Sequence, residues 1–156
     1  MEIAEILSIH RISLGDELRS KKTVLERLGS LLEVENGGPS ACQIGDLLSS
    51  RERLGTTGLG GGIALPHARI SKKEPARAAF LKISKPIDFD AIDEKPVDLF
   101  LGLCLPEDSV DEYLNLLGKV AEAFEDISLV ENLRAIDDEQ IVLRRLLGEI
   151  DSKRGV

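Results

Sequence analysis

Between residues 97 and 105 the chain reads Val-Asp-Leu-Phe-Leu-Gly-Leu-Cys-Leu, nearly without a polar side chain, and Pro106 closes the run. A strand with one wet face alternates apolar and polar residues. One this uniformly apolar is a strand buried on both faces, which constrains the fold more than any other feature of the chain. Helical segments at both ends of the sequence supply the cover. Ser20 opens a helix whose Val24, Leu25, Leu28, Leu31 and Leu32 follow the helical period. Gly37-Gly38-Pro39 is a turn, and a second helix runs from about Ser40 to Gly55 with Ile44, Leu47 and Leu48 inward. Arg51 falls in its last turns, where a cation suits the helix dipole. Strand-like runs occupy 63–65 and 78–83. Beyond Pro106, Ser109 with Glu112 has capping-box spacing, ahead of an apolar face of Leu114, Leu117, Ala121 and Phe124. Ser128 with Glu131 repeats the device for a short helix. Asp137 with Gln140 resembles it for a last helix carrying Val142, Leu146 and Ile150. The expected architecture is α/β or α+β: one three-layer domain over 1–150, a central sheet flanked by helices, with a fraying tail over 151–156.

Composition narrows the function. The 156 residues, 42% hydrophobic, suffice for a core, and with no Trp, one Tyr and four Phe that core is aliphatic. A net charge of −8 argues against nucleic acid, whose phosphates are bound by Lys and Arg, and favours a partner with a basic face. Cys42 and Cys104 have no metal-site spacing, so two free thiols in a reducing cytoplasm are the expectation. The start of the chain is acidic and no stretch approaches a membrane span, which points to a cytoplasmic protein without direct membrane insertion.

The chemistry concentrates in Arg51-Glu52-Arg53-Leu54-Gly55-Thr56-Thr57-Gly58-Leu59-Gly60-Gly61-Gly62-Ile63-Ala64-Leu65-Pro66-His67. Four of the 14 glycines lie within five positions, and Pro66 fixes the backbone before one of only two histidines. A dinucleotide fingerprint starting at Gly58 would need glycine at 63 and a helix afterwards. Ile63 stands there, and the next residues are extended and stopped by proline. A phosphate loop would need a Gly-Lys-Ser/Thr ending, which is missing. The glycines therefore read as tight turns or a bulge between short strands, which position the residues after them. His10 reads as a structural or simply exposed histidine. A Gly-x-Ser-x-Gly elbow is absent, and a zinc site would need more ligands than two histidines and two distant cysteines supply, unless carboxylates fill in. A histidine that takes a phosphoryl group needs less: a neutral ring nitrogen, a group orienting the other nitrogen, and donors for the phosphoryl oxygens. Arg51 and Arg53 offer guanidinium groups, and Thr56 and Thr57 offer hydroxyls. Surface salt bridging is the plainer reading of both arginines and the preferred one for Arg53.

The stretch from Thr57 to His67 closely resembles the active-site signature of enzyme IIA of the mannitol/fructose type, a component of the bacterial phosphoenolpyruvate-dependent phosphotransferase system. A second stretch, Pro86-Ile87-Asp88-Phe89-Asp90-Ala91-Ile92-Asp93-Glu94-Lys95-Pro96-Val97-Asp98-Leu99, is similar to the nitrogen-regulatory branch. The resemblance implies a mixed sheet flanked by helices, and a phosphorylated His67 that receives its group, on Nε2, from an HPr-like histidine phosphocarrier. It implies that Arg51, six residues before Thr57, stabilises the phosphoryl group. It also implies a phosphoryl carrier rather than a conventional turnover enzyme, with no cofactor and no metal. One departure stands out: where family members often carry a second histidine, this chain has Tyr113. A phenol can hydrogen-bond a phosphoryl oxygen or the ring of His67 but cannot carry positive charge, and packing beside Leu117 is the other reading. Leu59, Ile63 and Leu65 are expected to shield the phosphoramidate from water. Three functions stand as expectations. The first is a regulatory carrier of the nitrogen branch, signalling to potassium-transport or regulatory proteins. The second is a sugar-specific enzyme IIA serving an enzyme IIB for fructose or mannitol uptake. The third is a binding module whose His67 only recognises a ligand.

Overall fold

The computed structural model describes residues 1–35 and 37–154, and in it the apolar run becomes the strand about which the sheet is organised. In chain order the elements are α1 (Ile3–Ile6), β1 (Leu7–Asp16), α2 (Lys21–Leu32), α3 (Ala41–Leu54), β2 (Gly58–Gly60), β3 (Ile63–Ala64), β4 (His67–Ile70), β5 (Arg77–Ile87), β6 (Val97–Pro106), α4 (Val110–Ala123), α5 (Ile127–Ala135) and α6 (Glu139–Asp151). Of the expected tail, Gly155 and Val156 lie outside the described residues. The sheet order is β1-β5-β6-β3-β2, with β4 also paired to β6. β6 runs antiparallel to β5 and parallel to β3 and β4, which dock one after the other along its other edge: Ile63 faces Leu99, and His67 faces Leu103. The sheet is thus mixed.

Alternation along β6 builds both cores at once. Leu99, Leu101, Leu103 and Leu105 pack with the buried faces of α4, α5 and α6. Phe100 and Cys104 pack with α2 and α3 on the opposite side. Between them Gly102 leaves room for Leu28, whose Cδ2 would lie 3.0 Å from an added Cβ. Burial pushes the Cys104 thiol up to about 11, so it stays protonated and packs as a small apolar group, while Cys42 is exposed; both are free. No helix among the described residues is long and apolar enough to cross a membrane.

Two buried cations finish helix ends. The Lys82 ammonium, reached by the same alternation in β5, donates to the carbonyls of Leu133 (3.2 Å), Arg134 (3.1 Å) and Ile136 (2.6 Å) at the end of α5. Arg77 Nε donates to Leu32 O at the end of α2. Both supply donors to carbonyls that a helix leaves unpaired, at its negative pole.

Several local expectations need correction. Ser20 and Ser40 each form full capping boxes, with Thr23 and Gln43. Ser109 does not cap α4: its hydroxyl turns to Asp108, and Glu112 pairs with the N-terminal ammonium. α5 is capped by Asp126 and not by Ser128, and α6 by Asp138 and not by Asp137. A carboxylate one or two positions away outcompetes the expected residue at the positive end of the helix. Leu47 points outward from α3. The buried stripe of α4 is Tyr113, Leu116, Val120 and Ala123, leaving Leu114 exposed. The apolar residues allow either stripe, and choosing the neighbouring one turns the helix by roughly 100°. β1, β2, β4 and α1 carry no expectation from the sequence. β1 is an edge strand with only Leu7 and Ile12 fully buried, so its apolar pattern is weak.

Candidate functional site

Gly60, Gly61 and Gly62 all have positive φ (95°, 66° and 84°), which turns β2 tightly into β3. The turn is held from two sides. Asp93 Oδ2 accepts Gly61 N–H at 3.0 Å, and Arg134 Nη2 donates to Gly61 O at 3.0 Å while its guanidinium grips Asp98 at 2.9 Å. A Cβ at Gly62 would collide with the Arg134 guanidinium, so glycine there serves a close approach as well as a backbone angle. Gly58 lies against Ala91, whose Cα would be 2.8 Å from an added Cβ. These glycines form the bulged hairpin that the sequence suggests.

The chain then passes Leu65 and Pro66 and enters β4 at His67. Leu65 N–H donates to Thr57 O (3.0 Å), and Pro66 O accepts Leu103 N–H (2.9 Å), so the backbone before the imidazole is fixed on both edges. His67 is half-buried, with Nδ1 2.7 Å from Leu65 O. A carbonyl can only accept, so Nδ1 carries the hydrogen and Nε2 keeps its lone pair. Burial is the main cause that holds the imidazole below its ordinary value near 6.5. The Leu65 hydrogen bond opposes it, the Arg51 charge acts with it, and Glu52 opposes it. The result is a neutral ring with a free nitrogen at neutral pH.

Arg51 stands in the last turn of α3 and donates from Nη1 to Gly55 O at 2.9 Å. Its Nε and Nη2 have no partner among the described residues, and its charge is near enough to act on His67. Arg53 instead faces the α2–α3 groove. Tyr113 presents its ring edge-on to His67, with centroids 6.0 Å apart and planes at 76°. Its hydroxyl hydrogen-bonds to no described residue. Thr56 donates its hydroxyl to Phe89 O (3.0 Å) and Thr57 to Glu52 Oε2 (2.7 Å), so both hydroxyl protons are already committed. Ile63 and Leu65 are buried in the core beneath the site and do not form its rim; only Leu59 of the three is exposed. His10 is exposed on β1, two strands away from β6 and three from β4.

Two neighbours escape the sequence reading. Arg69 shares a strand face with His67 two residues on, and its guanidinium carbon lies 5.8 Å from the centre of the Tyr113 ring. Period-two alternation from His67 is the signal that would have found it. Glu52, buried between the two arginines, had none. Among the described residues no three His, Cys, Asp or Glu side chains cluster in a way that could hold a metal. Because His67 is only half-buried, part of its imidazole is open at the surface.

Residues 5–148 match the family model described as phosphoenolpyruvate-dependent sugar phosphotransferase system, EIIA 2. A nitrogen regulatory protein of Pseudomonas aeruginosa is 40% identical over 116 residues, covering 74% of this chain and 75% of that protein. A nitrogen regulatory protein homolog of Haemophilus influenzae is 37% identical over 140 residues, covering 86% of this chain and 84% of that protein. The crystal structure of nitrogen regulatory protein IIA-Ntr from Neisseria meningitidis superposes with a TM-score of 0.88 at 40% identity, covering 92% of this chain and 98% of that one.

Proposed function

The chain belongs to the EIIA 2 family of the phosphoenolpyruvate-dependent sugar phosphotransferase system, and on that premise we propose that it is a histidine phosphocarrier loaded on His67 by an HPr-like carrier and acting in regulation. The observation that carries the reading is the Nδ1–Leu65 hydrogen bond, which leaves Nε2 of a neutral, surface-presented imidazole as the nucleophile. The Nε2 lone pair forms the new N–P bond as the donor's N–P bond breaks, and that bond's electron pair stays on the donor ring. The Nδ1 proton remains on His67, held by Leu65 O. Such transfer is positioning plus charge stabilisation. The free Nε and Nη2 of Arg51 are the donors for the phosphoryl oxygens, and the unpartnered Tyr113 hydroxyl is a further one. Thr56 and Thr57 shape the loop instead, and Gly58, Gly60, Gly62 and Pro66 hold its path.

The names of the relatives at 37% and 40% identity favour the regulatory branch over sugar delivery. Phosphorylation adds roughly two negative charges at the surface, enough to change which partners dock. Potassium-transport or other regulatory proteins in the cytoplasm are the partners this reading gives it.

Incubation with phosphoenolpyruvate, enzyme I and an HPr-like carrier, followed by intact-mass analysis, tests the reading. The wild type gains one acid-labile phosphoryl group and His67→Ala gains none. A wild type that stays unmodified beside a labelled control enzyme IIA would leave only a binding module. Efficient removal of the group by an enzyme IIB would move the protein to sugar delivery.

A further inference from the structure

Glu52 is the one acidic side chain among the described residues that is buried, at 6% exposure, and it lies next to Arg51 in the chain. A carboxylate taken out of water is costly unless its oxygens are satisfied. Both of these are. Oε1 accepts Thr57 N–H at 2.8 Å and meets Lys21 Nζ at 3.2 Å, while Oε2 accepts the Thr57 hydroxyl at 2.7 Å. Thr57 is therefore held by both its backbone and its side chain, back against the helix that the chain left at Leu54.

The contacts continue. Thr57 O accepts Leu65 N–H at 3.0 Å, and Leu65 O accepts His67 Nδ1–H at 2.7 Å. One unbroken series of hydrogen bonds runs from the Glu52 carboxylate through Thr57 and Leu65 to the imidazole. It starts in the helical turn that also carries Arg51. The carbonyl that decides which ring nitrogen is protonated is thus placed relative to the guanidinium by a single buried carboxylate. We propose that Glu52 is a positioning residue for phosphoryl transfer: by clamping Thr57 it sets the Leu65 carbonyl, and through it the tautomer and direction of His67 toward the side of the site where Arg51 stands. The inference rests on His67 as the phosphoryl acceptor for its kinetic consequence, and on geometry alone for its effect on the ring.

The full chain tests it with two readouts. Nitrogen-15 NMR of the unphosphorylated protein reports the His67 tautomer without any carrier, and single-turnover mixing with phosphorylated carrier reports the rate. Glu52→Ala is expected to raise the Nε2–H tautomer at the expense of Nδ1–H and to slow acceptance by about 10- to 100-fold, the scale of a small misplacement of reacting groups. Glu52→Gln is expected to recover most of both, because its carbonyl can still accept Thr57 N–H and its amide can donate to the Thr57 hydroxyl. A folded Glu52→Ala with unchanged tautomer and rate would overturn the proposal. So would a Glu52→Gln as slow as Glu52→Ala, since charge rather than placement would then be at work. Should Glu52→Ala fail to fold, Thr57→Val removes one of the two clamping bonds: the tautomer shift then supports the proposal and its absence overturns it. A wild type that accepts no phosphoryl group would sink the carrier reading, while the tautomer comparison still decides the role of Glu52.

Discussion

At the scale of single residues the site is a contest over one proton. Burial and the Arg51 charge disfavour imidazolium at His67, and the Leu65 carbonyl and Glu52 favour it; burial dominates and the ring is held below 6.5. The consequence for transfer is directional. Nε2 is free above the depressed value and protonated below it, so acceptance is flat through neutral pH and falls only on acidification beyond the ordinary histidine range. The consequence for stability has the same sign: the unfolded chain takes up the proton first, so this group's contribution is full above about 6.5 and is lost as pH falls through the folded value. Arg51→Ala should move the His67 titration upward, by removing a like charge, while slowing transfer about 100-fold through the loss of an oxygen-stabilising donor. An NMR titration of the His67 ring beside a single-turnover rate checks both. A downward shift, or an upward shift with the rate intact, would separate Arg51 from the chemistry. His67, Arg51 and the reason for glycine were legible because each carries a local pattern: proline before histidine, a cation at a helix end, four small residues close together. Glu52 was not legible, because an acid between two arginines near a helix end looks like solvated surface until the fold buries it.

At the scale of elements the chain was readable wherever one element carried its own signal. The helix starts at Ser20 and about Ser40 were read from the sequence, as was the two-sided burial of β6. What could not be read was decided by neighbours. The α4 stripe depends on which side the sheet lies, and the three-residue β2 is recognisable as a strand only by its pairing with β3, whose run at 63–65 the sequence did show. The buried cation at the end of α5 is another such case, since Lys82 sits in a strand whose other apolar residues give no reason for it. Its three carbonyl partners would lose their donor in Lys82→Met, which keeps the side chain's length and apolar stem. Leaving buried carbonyls unpaired should cost about 3 kcal/mol, or roughly 10 °C in melting temperature for a domain of this size. α5 also carries Arg134, the residue holding Gly61 O, so loosening should reach the glycine hairpin. Thermal melts with hydrogen exchange check this: α5 and the hairpin amides should lose protection ahead of α2. A melting point within about 1 °C of wild type would mean that water satisfies those carbonyls and that the lysine only fills space.

At the scale of the whole molecule, the telling feature is that His67 is only half-buried, so its ring is partly open at the surface. A docked protein carrier would complete the cover over that ring. The chain carries −8 net charge, and exposed leucines lie close in sequence to the site residues: Leu54 (85% exposed) three positions after Arg51, Leu59 two after Thr57, and Leu114 (55% exposed) next to Tyr113. Apolar contact within an acidic field suits a basic carrier, with long-range charge setting the encounter rate and the leucines setting how long the complex lasts. The two contributions separate experimentally. Raising ionic strength from about 0.01 M to 0.15 M shortens the screening length from roughly 30 Å to 8 Å and should lower kcat/KM for carrier-dependent loading severalfold while leaving kcat unchanged. Leu114→Asp adds charge of the molecule's own sign, so it should not impair electrostatic attraction to a basic carrier. It should instead raise KM by about tenfold through lost apolar contact. Because Leu114 points away from the core, its melting temperature should stay near that of the wild type. Loading that ignores salt would remove the electrostatic half of the argument, and loading that ignores Leu114→Asp would move the docking face off α4.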